Sequence, residues 1–147
     1  MRAFRRIVFA TDFSTASRPA FRKAVALARS ERAQLFVVHV LSVLPVMPGG
    51  YVSPSVWDDL ERRQRTAAER QLRSIVAKAK AAGARASGVL IDFGVTHEQI
   101  VRYARKKRAD LIVMGTHGRT GLTRALLGSV ASRVLGAARC PVLTVRG

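Results

Sequence analysis

Acidic residues are scarce in this chain, and so are cysteine and the aromatics. Nine Asp and Glu stand against twenty-six Lys and Arg in 147 residues, a formal net charge of +17. That balance excludes a near-neutral surface and points to an anionic partner. A single cysteine excludes an internal disulfide. Cys140 lies in the apolar run Cys140-Pro141-Val142-Leu143 and reads as a buried thiol in a reducing cytoplasm, because a reactive thiolate needs exposure as well as positive charge. Phe, Trp and Tyr together make up 6%, too few to interleave with the basic residues as a base-stacking platform. Long apolar runs are also missing. Behind the basic opening Arg2-Ala3-Phe4-Arg5-Arg6, the run Ile7-Val8-Phe9-Ala10 stops at Thr11-Asp12, too short for a signal core or a membrane span. His39, His97 and His117 lack metal-ligand spacing. His39 is expected buried in a strand, His97 exposed in a helix's first turn, and His117 alone near a ligand. There is no internal repeat, and basic residues recur along the whole sequence, which disfavours a detachable basic arm.

With 48% hydrophobic and 24% charged residues, the chain has the composition of one globular domain over residues 1–147, large enough to bury a core without disulfides or metals. Residues 7–10 form a β-branched apolar run without alternation, the pattern of a strand covered on both faces. Similar runs at 35–41, 86–92, 110–114 and 142–145 give five strands. Between them helical spacing predicts helices at about 17–32, 55–82, 96–108 and 129–137. In the second of these Trp57, Leu60, Gln64, Ala68, Leu72, Ile75 and Ala79 form one stripe, and Gly83 ends it. Thr96 is expected to cap the third, and Asp58-Asp59 with Glu61 reads as a first-turn acidic cluster that suits the helix dipole. Residues 42–54 hold three of the five prolines and a Gly pair, so they form an irregular connection. Strands alternating with helices mean βαβ units and a parallel α/β sheet with helices on both faces. Ligands bind such sheets beyond the carboxyl ends of the strands, where the winding reverses.

The turn after the fourth strand reads Gly115-Thr116-His117-Gly118-Arg119-Thr120-Gly121, and Gly128-Ser129 opens the next helix. Glycines let backbone pass close to phosphates, and the free N–H groups of a first helical turn attract anions. Ser129 can either cap that helix or donate to a phosphate oxygen. A Walker loop needs Gly-Lys-Ser or Gly-Lys-Thr, and the dinucleotide Gly-x-Gly-x-x-Gly needs to follow the first strand; neither is present.

The spacing Gly115-x2-Gly118-x9-Gly128-Ser129 resembles, position for position, the Gly-x2-Gly-x9-Gly-Ser/Thr signature of ATP-binding universal stress proteins. The opening Ile7-Val8-Phe9-Ala10-Thr11-Asp12-Phe13-Ser14, the segment Asp110-Leu111-Ile112-Val113-Met114-Gly115 and the ending Cys140-Pro141-Val142-Leu143-Thr144-Val145 are similar to the same family. The likeness covers nearly the whole chain, least over residues 43–85. It implies a Rossmann-like five-stranded parallel sheet in the order 3-2-1-4-5, as in adenine nucleotide alpha hydrolase-like folds, with ATP, ADP or AMP in the cleft and Mg2+ carried by the phosphates. It also implies site residues. Thr11 and Asp12 would stand at the floor of the cleft, Asp12 accepting from a ribose hydroxyl or else capping the following helix. Val40 would meet the adenine edge through its backbone, and Met114 and Gly115 would line the ribose side. Gly118, Arg119, Gly128, Ser129 and Val130 would wrap the phosphates, with Arg119 either paired to phosphate or solvated. Finally, it implies a homodimer through the fifth strand, Val142, Leu143, Thr144 and Val145, whose apolar edge invites another strand.

The reading that results is a cytoplasmic nucleotide-binding module that acts in a stress response. A slow ATPase or phosphotransferase is the alternative, limited because residues 115–147 contain no Asp or Glu to hold a metal or serve as a base. A third reading, motivated only by +17, is weak nucleic-acid association without sequence readout.

Overall fold

The computed structural model describes residues 3–43, 49–117 and 126–147. Its elements run β1 (Arg6–Ala10), a 3-10 turn (Thr15–Ser17), α1 (Arg18–Glu31), β2 (Gln34–Val40), α2 (Pro54–Ala81), β3 (Arg85–Ile91), α3 (Thr96–Lys106), β4 (Leu111–Gly115), α4 (Ser129–Ala137) and β5 (Val142–Val145). The five strands are parallel, in the order β3-β2-β1-β4-β5, as the family likeness implies. Ile7, Val8 and Phe9 in β1 are fully buried, and so are Ile112 and Val113 in β4. Burial on both sides is why these runs show no polar alternation.

Adjacent residues of β1 feed two separate cores. Ile7 and Phe9 pack with Ala20, Ala24 and Ala28 of α1 and with Leu72 and Ala79 of α2. Val8 and Ala10 pack with Ile100 and Ala104 of α3 and with Ala131 and Val134 of α4. Two helices therefore cover each face. The winding reverses between β1 and β4, which are hydrogen-bonded neighbours with Ala10 beside Met114. Asp110 locks the start of this pair: its carboxylate accepts the N–H of Arg6 at 2.8 Å and of Arg5 at 3.0 Å. With its side chain committed to β1, Asp110 stands just outside β4 rather than inside it.

Three local expectations are corrected. Val95, not Thr96, is the N-cap of α3, and no side chain bonds there. The helix entrance at Pro54 puts Asp58, Asp59 and Glu61 beyond the first turn of α2; Asp59 pairs with Arg63 at 2.9 Å instead. At 28 residues, α2 is about 42 Å long, against about 23 Å for the seven-residue β3. Its N-terminal part therefore overhangs the sheet, leaving Leu60 exposed and Trp57 half-buried. The helix ends where Gly83 takes φ +91°, a conformation glycine adopts without steric cost. Cys140 is half-buried, less enclosed than expected, and burial pushes its thiol pKa up, helped by Asp110 and opposed by a backbone hydrogen bond. No helix among the described residues is long and apolar enough to cross a membrane.

Candidate functional site

At the carboxyl ends of β1 and β4 opens a cavity of about 340 Å³, within the range of small-molecule sites. Its wall includes Thr11, Asp12, Val40, Met114, Gly115, Gly128, Ser129 and Val130, brought together from four stretches of sequence. Gly118 and Arg119, the other two sequence candidates, lie outside the described residues.

The loop after β1 is held by a chain of short bonds. Phe13 N–H donates to Thr11 Oγ1 at 3.0 Å, and Ser17 Oγ donates to the Ser14 carbonyl at 2.8 Å. The Ser17 hydroxyl has then used its one hydrogen, so Thr11 donates across the 3.2 Å contact to Ser17 Oγ. Asp12 Oδ1 accepts the Ser14 N–H at 2.9 Å, an Asx turn. It does not cap the 3-10 turn that follows, whose N-cap is Ser14 without a side-chain bond. Phe13 sits at φ 64°, strained for a side chain of this size. Its ring stacks on His39, centroids 4.2 Å apart. His39, buried in β2, contacts the Thr11 carbonyl at 2.8 Å through Nδ1. A carbonyl only accepts, so Nδ1 carries the proton.

The opposite wall is the entrance to α4. Gly128 is its N-cap, and no side-chain cap bond forms. Ser129 is thus the first helical residue, exposed, and does not cap the helix. With Val130 and Ala131 it lines the cavity. The first turn holds no acid. The positive end of the helix and its uncapped N–H groups therefore face the cavity unopposed by local negative charge. Gly128 is fixed by packing: a Cβ there would stand 2.7 Å from the Thr116 carbonyl oxygen, to which Gly128 N–H donates at 2.6 Å. Buried beside this loop, His117 Nε2 has no hydrogen-bond partner among the described residues, while its Nδ1 lies 3.0 Å from Thr116 Oγ1.

The structure adds wall residues that the sequence reading left out: Ser17, His39, Ser42, Thr96 and Thr116. His97 is half-buried rather than exposed. Ser42 follows β2 and Thr116 follows β4, both at carboxyl ends where α/β sheets bind ligands. Thr96 begins α3, so the turn after β3 contributes as well. Among the described residues Asp12 is the one carboxylate on the wall. The arrangement suits a ligand with a polyhydroxyl part at Asp12 and an anionic part at α4.

The family model described as "Universal stress protein family" matches residues 3–146. Universal stress protein MJ0531 of Methanocaldococcus jannaschii is 36% identical over 143 residues, covering 97% of this chain and 82% of the relative. Among solved structures, that of MJ0577 from the same organism aligns with a TM-score of 0.83 at 25% identity, over 99% of this chain and 97% of the other. The universal stress protein of Archaeoglobus fulgidus in complex with dAMP aligns with a TM-score of 0.67 at 26% identity, over 98% and 99%.

Proposed function

The chain belongs to the universal stress protein family, and from that premise we propose that it binds an adenine nucleotide between β1 and β4 and acts through that occupancy in a stress response. The observation that carries this reading is the meeting of Asp12 and the uncapped start of α4 across one cavity. A carboxylate there accepts from ribose hydroxyls, and helix N–H groups receive phosphate oxygens. The complex of the Archaeoglobus relative with dAMP supports the nucleotide class.

In this reading each group has one task. Val40 presents backbone to the base: the Val38 carbonyl is taken by Thr11 N–H at 2.9 Å, and Leu41 N–H by the Ile91 carbonyl at 2.9 Å, which fixes the strand on either side. Met114 and Gly115 border the sugar. Ser129 offers its hydroxyl to a phosphate, and Gly128 keeps the loop close enough for backbone to reach it. ATP is the resident form we favour over ADP or AMP, with Mg2+ entering on its phosphates. With Asp12 the one carboxylate on the wall among the described residues, the site is built to bind rather than turn over, and hydrolysis stays far below the roughly 1–10³ per second of typical enzymes.

Two further proposals rest on the same membership. The protein pairs through β5, an edge strand of half-buried Val142, Leu143, Thr144 and Val145, and it works in the cytoplasm. Denaturing freshly purified protein and identifying any released small molecule by mass spectrometry tests the nucleotide reading. An adenine nucleotide is expected; a stoichiometric ligand of another class would overturn it.

A further inference from the structure

The basic residues look evenly spread along the sequence, but the fold gathers them. In a parallel α/β sheet the strand starts and the helix C-termini lie at one end, opposite the cleft. Here Arg29 and Arg32 close α1, Lys78 and Lys80 lie in the last turn of α2, and Arg105 and Lys106 in that of α3. Lys107 and Arg108 follow α3, and Arg139 stands between α4 and β5. The strands add Arg5 and Arg6 at β1 and Arg85 at β3. Twelve bases thus share this end with two acids, net +10 of the chain's +17. Both acids are engaged with backbone: Asp110 as described, and Glu31 Oε2 with Ala3 N–H at 2.8 Å.

Dipole compensation does not account for this charge. Four helix C-termini present about −0.5 each, roughly −2 in all, against +10. Several of these side chains are also tied to neighbouring segments of the same end. Arg85 donates to the Arg32 carbonyl, Arg6 Nε donates to the Arg108 carbonyl at 3.0 Å, and Arg105, Arg108 and Arg139 border a second cavity of about 170 Å³. Among the described residues no ion pair involves this end. From β3 to β5 it spans about 19 Å, a length over which a duplex carries on the order of ten phosphate charges, part of them on the side turned to the protein.

We infer that this end is a docking face for the phosphate backbone of double-stranded nucleic acid, separate from the nucleotide cleft and independent of the reading given to that cleft. A single-stranded partner needs exposed rings to stack on. Tyr51, the one exposed aromatic among the described large apolar side chains, is not at this end. Stable anchoring to a membrane needs apolar side chains that insert beside the charge, and of the exposed large apolar residues described only Leu135, late in α4, comes near. A second copy of the chain is disfavoured because it offers few acids to this end: seven stand away from it, and two of those, Asp59 and Asp92, are already paired with Arg63 and Arg65.

The test compares the full chain with two fourfold variants of equal charge. One carries Lys78→Gln, Lys80→Gln, Arg105→Gln and Arg139→Gln at this end; the other carries Arg18→Gln, Arg22→Gln, Lys23→Gln and Arg73→Gln elsewhere. Binding to a labelled random-sequence 30-base-pair duplex is followed by fluorescence anisotropy between about 50 and 200 mM salt. The first variant is expected to lose at least tenfold in affinity, with a log–log salt slope flatter by about 2–4, since each lost phosphate contact is worth about 0.9. The second is expected to stay within threefold of the parent. Equal losses in both, no duplex binding by the parent at the lowest salt, tighter binding to the single strand, or stronger capture by phosphatidylserine vesicles would each overturn the inference. ATP titration of the first variant separates this outcome from failure of the cleft reading, because its affinity there is expected unchanged.

Discussion

Replacing Gly128 by Ala adds one methyl group at the point where two backbone segments meet. The new Cβ would lie 2.7 Å from the Thr116 carbonyl oxygen and 3.5 Å from His117 Cα. The obstacle is backbone, so no side chain can swing aside, and the 2.6 Å bond from Gly128 N–H to that carbonyl must stretch. Overpacking of this kind costs about 1–3 kcal/mol, and weakening the bond adds about 1 kcal/mol. A loss of about 2 kcal/mol or more is expected, a fall in Tm of at least about 4 °C for a chain of this size. The damage also shifts the start of α4, so nucleotide affinity should fall at least tenfold. Gly136 lies in the same helix, where an added Cβ would meet nothing within 4 Å. There Ala should add about 0.5–1 kcal/mol, the ordinary difference from glycine in a helix, and leave affinity unchanged. Urea unfolding and calorimetric titration of both variants measure this. A Gly128→Ala protein as stable as the parent, or one no weaker for nucleotide than Gly136→Ala, would refute the account of the loop.

Asp12→Ala should weaken ATP binding by about 1–3 kcal/mol, the usual size of lost hydrogen bonds to a charged group, and leave binding of free adenine unchanged; an equal loss for adenine in calorimetry would mean that the carboxylate does not serve the ribose. Cys140 is expected to alkylate with a half-maximal rate at higher pH in the native protein than in urea, because burial holds the thiol protonated. The unfolded chain ionises that thiol first and so binds fewer protons at alkaline pH, which makes stability fall as pH rises past the ordinary thiol value; a native midpoint at or below the unfolded one would contradict this. Val142→Pro should yield monomers in sedimentation, and dimers that persist would move the interface away from β5.

The fold was readable because a parallel sheet leaves an unmistakable pattern: five apolar runs without alternation, spaced by helices, with β1 and β4 buried on both faces. Element ends were harder, since they depend on partners distant in sequence. Asp110 leaves its strand to bind the N–H groups of Arg5 and Arg6, more than a hundred residues away. The cleft was legible where glycine spacing and strand ends marked it, at Asp12, Gly115 and Gly128. Thr96 and Ser42 carry no motif and reach the cavity only because the strands before them end beside it. Charge was the least legible property. Counted along the sequence it is dispersed, and only the common direction of strands and helices collects twelve bases at one end.

The most direct measurement is an ATP titration of isotope-labelled protein followed by amide resonances. The account predicts that the largest shifts fall on Thr11, Asp12, Val40, Gly115 and Ser129 to Ala131, with Arg85 and Arg105 at the opposite end unmoved. Absence of any shift at millimolar ATP, or shifts concentrated on the basic end, would contradict it.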